Sequence, residues 1–427
     1  MTSSLTRRQA LTGGGALIFA FRFGGAAQAQ TETGTGNTLP LGLAGDLNIA
    51  PMLDSWIRID SSGAITILTG KAELGQGIKT ALLQVAAEEL KTSVAVLTLV
   101  TADTALTANE GYTAASHSVQ DSGSAIRNAA AQVREILLSE AARRWSVDPT
   151  TLWATHATIT DGAGRSVGYG ELVRDGMLHS QAQVSAKLTP ASEFTVMNHS
   201  VPRIDIPAKV TGGSAYVHDL RPSGMLHARV LRPPSYGAVL ASLDTHGIAD
   251  MPGGVQIVRD ASFVAVVAVQ EWTAIQALRR LSTRAVWRES ARLPNSSQLA
   301  DALMALPSKD TTILERGAQK GDLVEALFSR PYTSHGSIGP SCALAKDQDG
   351  VMTIWTHTQG VFPLRNAIAD MLGREKDKVR CIHAEGAGCY GHNGADDVAA
   401  DAALIARALP GRPVRVQWMR EQEHAWE

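Results

Sequence analysis

Apolar positions recur along the chain at two periods, and switching between them lays out most of the secondary structure. Ala64 to Thr69 alternates and is β-branched, which predicts a strand. From Ile78 the spacing changes: Ile78, Ala81, Leu82, Val85, Ala86 and Leu90 share one helical face. Val96 to Thr101 reads as a second strand. A longer helix follows, with Ile126, Ala129, Ala130, Val133, Ile136 and Leu137 on its core side. Periodicity fades over 178–200, which reads as a linker, and Pro202 to Gly213 is turn-rich and polar. Val255 to Val258 and Phe263 to Val269 predict strands, and Thr273 to Leu281 a helix. After irregular sequence to about 320 comes a strand, Val351 to His357. A helix then opens with Pro363 in its first turn and stops at Gly373. Val379 to Ala384 is a strand. The next helix carries Val398, Ala402, Ile405 and Leu409 on its core face, with Asp396 or Asp397 as a candidate cap. Pro413 to Trp418 is a last strand. The class is α+β, in three units at 46–195, 200–295 and 320–427, without a solenoid repeat.

Composition narrows the function. With 427 residues, 44% of them hydrophobic, the chain has material for several cores. A net charge of −2 gives no basic footprint, so nucleic acid is not an expected partner. Cys342, Cys381 and Cys389 form neither CxxC nor CxxCH, which removes a local iron–sulfur, haem or zinc-ribbon signature. They are expected as small buried hydrophobes. His335, His357, His392 and His424 make no paired zinc motif and are expected at the surface or behind a site. No apolar run reaches spanning length, so the mature chain is expected to be soluble. At the N-terminus, Arg7-Arg8, the apolar stretch Ala10 to Phe21 and the small-residue site Ala27-Gln28-Ala29 read as an export signal over 1–29. The paired arginines favour the twin-arginine route and a periplasmic destination.

Two glycine-rich loops share one layout of strand, loop and helix. The first is Glu73-Leu74-Gly75-Gln76-Gly77, and the second runs from Glu385 to Gly394. Glycines there let backbone N–H groups approach an anion where a helix begins. Gly386-Ala387-Gly388-Cys389-Tyr390-Gly391 also fits G-x-G-x-x-G, a dinucleotide fingerprint. That alternative, an NAD-binding oxidoreductase, needs further βα units and a well-placed acid, and little chain follows. A turn that merely packs is the bland alternative.

Taken in order, the motifs resemble the molybdopterin-binding subunits of the xanthine dehydrogenase family, of the nicotinate dehydrogenase and isoquinoline oxidoreductase type. The resemblance rests on Trp56 to Asp60 with Gly70 to Gly77, and on Gly111 to Ser116 with Gln120 to Gly123. It continues through Arg203-Ile204-Asp205 with Lys209 to Gly212 and Tyr216 to Asp219, then Thr358-Gln359, Cys389 to Asp397 and Trp418 to Glu427. The early position of Gly75-Gln76-Gly77 is that of the permuted isoquinoline-type subunits.

The resemblance implies molybdopterin-binding pieces flanking a hammerhead-like domain, and a molybdenum–molybdopterin cofactor, extended by cytidine in many bacterial members. It assigns Gly75, Gln76, Gly77, Ala114, Ala115, Ser116, Gly388, Tyr390 and Gly391 to the cofactor. Gln359 would orient a ligand of the metal, and no side chain would bind metal directly. For Gln76, Ala114–Ser116, Gln359 and Tyr390 the plain alternatives are turn, strand-end and core roles. The implied activity is oxidation of an aldehyde or N-heteroaromatic such as nicotinate, with water as oxygen source. Implied partners are a small [2Fe-2S] subunit, a cytochrome c and a polypeptide supplying the C-terminal half, with any membrane association through them. Family members continue past the end of this chain, and that portion carries the glutamate that acts as base. A truncated, non-catalytic remnant therefore stands as the alternative.

Overall fold

The computed structural model describes residues 42–426, apart from 175, 290–293, 318–320, 323 and 332. The export signal expected over 1–29 lies outside the described residues. The chain divides into a large unit (Thr38–Pro234, Val239–Arg288 and His335–Glu427) and a small one that includes Ser235–Ala238 and Glu289–Ser334. In the small unit, the short helix Leu299–Met304 is followed by sequence whose Ile313, Val324 and Phe328 are exposed.

In the large unit, β1 (Ile57–Ile59) and β2 (Ile65–Thr69) pair antiparallel, and β3 (Leu97–Thr101) joins β2 in parallel. The parallel step needs a crossover, supplied by helix α1 (Ile78–Glu89). The long helix α2 (Ser124–Trp145) packs beside α1. Together they close one core around Trp56, Ile57, Leu82, Ile126, Val133 and Leu137. Two of the six expected α1 face positions shift: Ala81 and Val85 are half-buried, while Leu83 and Ala87 are fully buried. Because α1 packs on both β3 and α2, its apolar stripe is wider than one face. A small meander of β4 (Trp153–Thr155), β5 (Thr158–Thr160) and β6 (Ser166–Gly168) completes the region.

A second core is built on a seven-stranded mixed sheet. Its strands are β7 (Leu226–Leu231), β9 (Gln256–Asp260), β10 (Phe263–Ala268), β12 (Cys342–Gln348), β13 (Val351–Thr356), β14 (Val379–His383) and β15 (Val414–Gln417), in the order β14-β13-β12-β15-β7-β10-β9. The middle and third segments of the chain thus share one sheet. A two-stranded ribbon, β8 (Val239–Leu243) with β11 (Ala285–Arg288), forms separately. The large sheet packs on Phe362, Ile368, Val398 and Ile405. These come from α4 (Val361–Leu372) and α5 (Ala395–Ala408), which follow α3 (Glu271–Ser282) in the chain. Against β7 and β10, α3 forms a third core with Leu231, Val264, Val266 and Leu281. Among the described residues, no helix is long and apolar enough to cross a membrane.

The first sheet is stitched to the edge of the second. Asp103 bridges Ile382. Thr104 N donates to Cys381 O, and His383 N to Ala102 O, at 3.0 and 2.8 Å. Arg380 forks onto Asp103 with contacts of 2.9 and 2.5 Å. This seam brings the ends of β2, β3, β13 and β14 together, and the loops after them share one region.

Candidate functional site

Four loops leave those strand ends: loop A (Gly70–Gly77) after β2, loop B (Asn109–Ser118), loop C (Thr358–Gly360) after β13, and loop D (Glu385–Gly394) after β14. Glycine is required where they press together. A Cβ on Gly70 would sit 2.3 Å from Ala108 O, and one on Gly360 would meet the Tyr112 ring at 2.7 Å. A Cβ on Gly386 would reach the His357 ring at 2.5 Å.

Hydrogen bonds join the loops directly. Ala72 N donates to Thr113 Oγ1 at 2.8 Å, tying A to B. Thr113 N donates to Gln359 O at 2.8 Å, and Gln359 Nε2 donates back to Thr113 O at 3.2 Å, tying B to C. His383 lies within 3.1 Å of Thr358 O through Nδ1 and 2.9 Å of Glu73 O through Nε2, between C and A. Burial pulls its pKa down. A neutral ring has one N–H to give, so the two carbonyls compete for it. Lys79, just past loop A, donates through Nζ to Glu385 Oε1 at 2.8 Å, tying A to D. Tyr112 and Asp396 also approach: burial, and then the Asp396 charge, raise the Tyr112 pKa.

The loops differ in what their amides do. In loop A the amides of Gly75 and Gly77 both donate to Glu73 Oε1 at 2.9 Å, and Lys79 N donates to Glu73 Oε2 at 3.0 Å. The chain's own carboxylate fills the anion site that the glycine pattern advertises. Gln76 is also turned inward: its Oε1 accepts from Leu74 N at 2.6 Å and its Nε2 donates to Ala72 O at 2.9 Å. In this structure the Gly75 and Gly77 amides and the Gln76 carboxamide are thus bonded within the loop, while Gly75 and Gln76 stay exposed.

Loops B and D are open. Ala115 and Ser116 take φ of +53° and +62°, and Ala114, Ala115 and Ser116 are exposed. Successive residues of this kind can form a concave nest of N–H groups. Loop D is similar: Gly388, Tyr390 and Gly391 have φ of +143°, +56° and +118°, and Tyr390 and Gly391 are exposed. A non-glycine residue at positive φ is strained, and such strain gathers at functional sites. The amides of Ala114–Ser116, Gly388, Tyr390 and Gly391 make no backbone hydrogen bond among the described residues. Gln359 is half-buried. Surface hollows occur elsewhere, one of about 550 Å³ beside Arg58 and His179, but it includes no residue of these loops.

Other expectations shift. Asp396 and Asp397 do not cap α5: Asn393 Oδ1 accepts from Ala395 N at 3.1 Å, and both aspartates sit inside the first turn. His357 is buried beneath Gly386 of loop D; burial drives its pKa down to about 3. Its Nε2 accepts from Cys342 N at 3.2 Å, which leaves the proton on Nδ1. All three cysteines are buried, and burial raises the Cys342 thiol to about 12. The dinucleotide alternative fails on topology. β15, which follows loop D and α5, runs antiparallel to β12 rather than extending a parallel βαβ run beside β14.

The residues that sequence reasoning missed are Glu73 as loop A's internal anion, and His383 and Glu110 as links beneath the loops. An acid just before a glycine loop and a helix start was the available signal for Glu73.

The fold and loops mark a molybdopterin-binding protein, and comparison agrees. The molybdopterin cofactor-binding domain families match residues 18–203 and 306–426. The chain belongs to the molybdopterin-binding subunits of the xanthine dehydrogenase family. It is 38% identical over 387 residues to a nicotinate dehydrogenase subunit of Pseudomonas putida, an alignment covering 87% of this chain and 32% of that protein. It is 27% identical to the beta subunit of isoquinoline 1-oxidoreductase from Brevundimonas diminuta, covering 99% of this chain and 60% of that one. Among solved structures, quinoline 2-oxidoreductase from Pseudomonas putida 86 aligns at a TM-score of 0.42 and 19% identity, over 52% of this chain and 35% of that chain. The chain thus spans about a third of the first relative and under two thirds of the second.

The donor set fits the cofactor. Open main-chain amides and the Ser116 hydroxyl suit phosphate and pterin edges. Among the described residues, no group of three or more His, Cys, Asp or Glu could hold a metal ion. A molybdenum carried by its pterin dithiolene needs no such group.

Proposed function

We propose that this chain is part of the large subunit of a molybdenum hydroxylase that oxidises an aldehyde or N-heteroaromatic. The observation that carries the reading is the division among the loops: the Gly75 and Gly77 amides of A bond to Glu73, while the amides of Ala114–Ser116 in B and of Gly388, Tyr390 and Gly391 in D make no backbone hydrogen bond among the described residues. Ala114, Ala115 and Ser116 would hold the pterin or its phosphate. Gly388, Tyr390 and Gly391 would donate main-chain N–H groups on the metal side. Gln359 spends one amide hydrogen on Thr113 and keeps its other hydrogen and Oε1 to orient an oxygen of the group. When bound, the cofactor supplies a two-electron redox centre for hydroxylation with water as oxygen source. Exposed Tyr112 and Tyr390 would line the approach for a flat aromatic substrate. Electrons would leave through a small [2Fe-2S] subunit and a cytochrome c. Export through the twin-arginine route to the periplasm belongs to the same reading, as does the option of a cytidine-extended pterin.

Co-expression with frames adjacent in the genome, followed by molybdenum, pterin and cytidine analysis of the purified complex, tests it. About one molybdenum per chain is expected for one cofactor site. A purified complex with its partner subunits but no molybdenum rejects the reading.

A further inference from the structure

Behind loops A and D, the Glu73 and Lys79–Glu385 contacts belong to a larger ring of charge. From Glu73, Oε1 lies 3.6 Å from Arg203 Nη2. Arg203 forks onto Asp205 through Nε at 3.0 Å and Nη2 at 2.6 Å. Asp205 Oδ2 accepts from Lys209 Nζ at 2.5 Å, and the same ammonium lies 2.5 Å from Glu385 Oε2. Glu385 Oε1 accepts from Lys79 Nζ at 2.8 Å, and the Lys79 amide returns to Glu73 Oε2 at 3.0 Å. The ring closes on itself, with three acids and three bases.

Its members come from three distant stretches: loop A with the start of α1, the segment 203–209, and loop D. The acids are buried, and the Lys209 side chain is 12% exposed. Ion pairs so placed add little net stability, because desolvation offsets most of the attraction. They do fix geometry, since each charge has one acceptable place. The ring also grips backbone. Glu73 holds the Gly75 and Gly77 amides, and Arg203 Nη1 donates to Gly75 O at 2.9 Å. On the other side, Val217 N donates to Glu385 O at 2.8 Å, so the residues after Lys209 are fastened to the root of loop D. The charge state is firm. The Arg203 fork, against burial and with help from Lys209, holds the Asp205 carboxyl well below the usual range. Burial opposes the Lys209 charge, but Asp205 and Glu385 outweigh it and raise its pKa.

We propose that this ring sets the spacing of loop A and loop D before any cofactor arrives, with Lys209 and Glu385 as positioning residues at its junction. Its place in a cofactor cradle rests on the function proposed above; the mechanical claim does not. The test uses the full chain purified from cells that make no molybdopterin. Backbone hydrogen exchange is followed on peptides covering 73–79 and 384–391, with 126–141 of α2 as reference. Lys209→Met keeps the alkyl stem and removes the charge. Exchange in both loop peptides is expected to rise about tenfold or more, with the α2 peptide unchanged, and Lys209→Arg to restore protection. Loop peptides that stay within about twofold of the parent overturn the proposal. So does uniform loosening that includes α2, which marks a merely structural residue. If Lys209→Met does not fold, Glu385→Gln, which keeps size and hydrogen bonding, is followed on the same peptides and judged by the same two outcomes. Because no cofactor is present, a failure to find molybdenum in the assembled complex sinks the functional reading and leaves the ring standing.

Discussion

Glu110 offers a direct test of how loop B is held. Its Oε2 accepts from Thr69 Oγ1 at 2.8 Å and Gly70 N at 2.5 Å. Its Oε1 and Asp46 Oδ2 are both buried without a donor, and the two acids face each other. A proton shared between them satisfies both. Burial, reinforced by Asp46, raises the Glu110 pKa from 4.5 to about 8. The folded value thus lies above the unfolded one. The clamp is fully present below about pH 4.5, weakens as pH rises, and is lost through about pH 8. At 1.36 kcal/mol per unit, that window is worth on the order of 5 kcal/mol. Glu110→Gln mimics the protonated form: its carboxamide oxygen keeps the Thr69 and Gly70 bonds, and its NH2 donates to Asp46. Urea denaturation of parent and variant between pH 5 and 9, at fixed salt, reads the difference. The variant is expected to gain roughly 3–4 kcal/mol on the parent from the acid to the alkaline end of this range. Parallel stability curves would refute the shared proton.

Three further outcomes follow from the loops. Gly386→Ala drives a Cβ to 2.5 Å from the His357 ring and is expected to lower stability by about 1–3 kcal/mol, read as a fall in the urea midpoint. His357→Gln removes a ring whose pKa burial lowers from 6.5 to about 3. The parent therefore loses stability as pH falls from about 6.5 towards 3, and the variant is expected to show a shallower acid limb. Ser116→Ala should leave folding within about 0.5 kcal/mol of the parent, because the residue is exposed, yet lower cofactor retention in the assembled complex on desalting. Equal molybdenum retention would remove Ser116 from the cofactor set.

What could be read from the sequence was whatever repeats or bends. Helices α1, α2, α4 and α5 show because their apolar faces recur over three or more turns. Gly373 shows because a helix end at φ +62° favours glycine. β7 did not show, because His227 and Arg229 alternate with its apolar residues, and Arg229 is buried with its charge on Glu271 2.7 Å away. Polarity there marks a buried ion pair and not a solvated face. The order of the large sheet was equally hidden: β15 lies between β12 and β7, and nothing local in Val414–Gln417 announces either neighbour. Loop composition did reveal loops A to D. It did not reveal that Lys79 and Glu385, 306 positions apart, meet at 2.8 Å.

The use of amides separates loops that look alike in sequence. Loop A and loop D both put glycines between a strand and a helix, and both would serve an anion by pattern alone. Glu73 distinguishes them, because a carboxylate two residues before Gly75 can fold back onto the amides beyond it. Glu385 precedes Gly386 and has the same local opportunity, but Lys79 and Lys209 draw its carboxylate away from the loop. One acid closes its loop, and the other is held off so that its loop stays open. The ring that engages both acids therefore also keeps the Glu385 carboxylate off the Gly388, Tyr390 and Gly391 amides. Exchanging the roles, by neutralising Lys79 and Lys209 together, should let Glu385 turn onto its own loop and compete with any anion there.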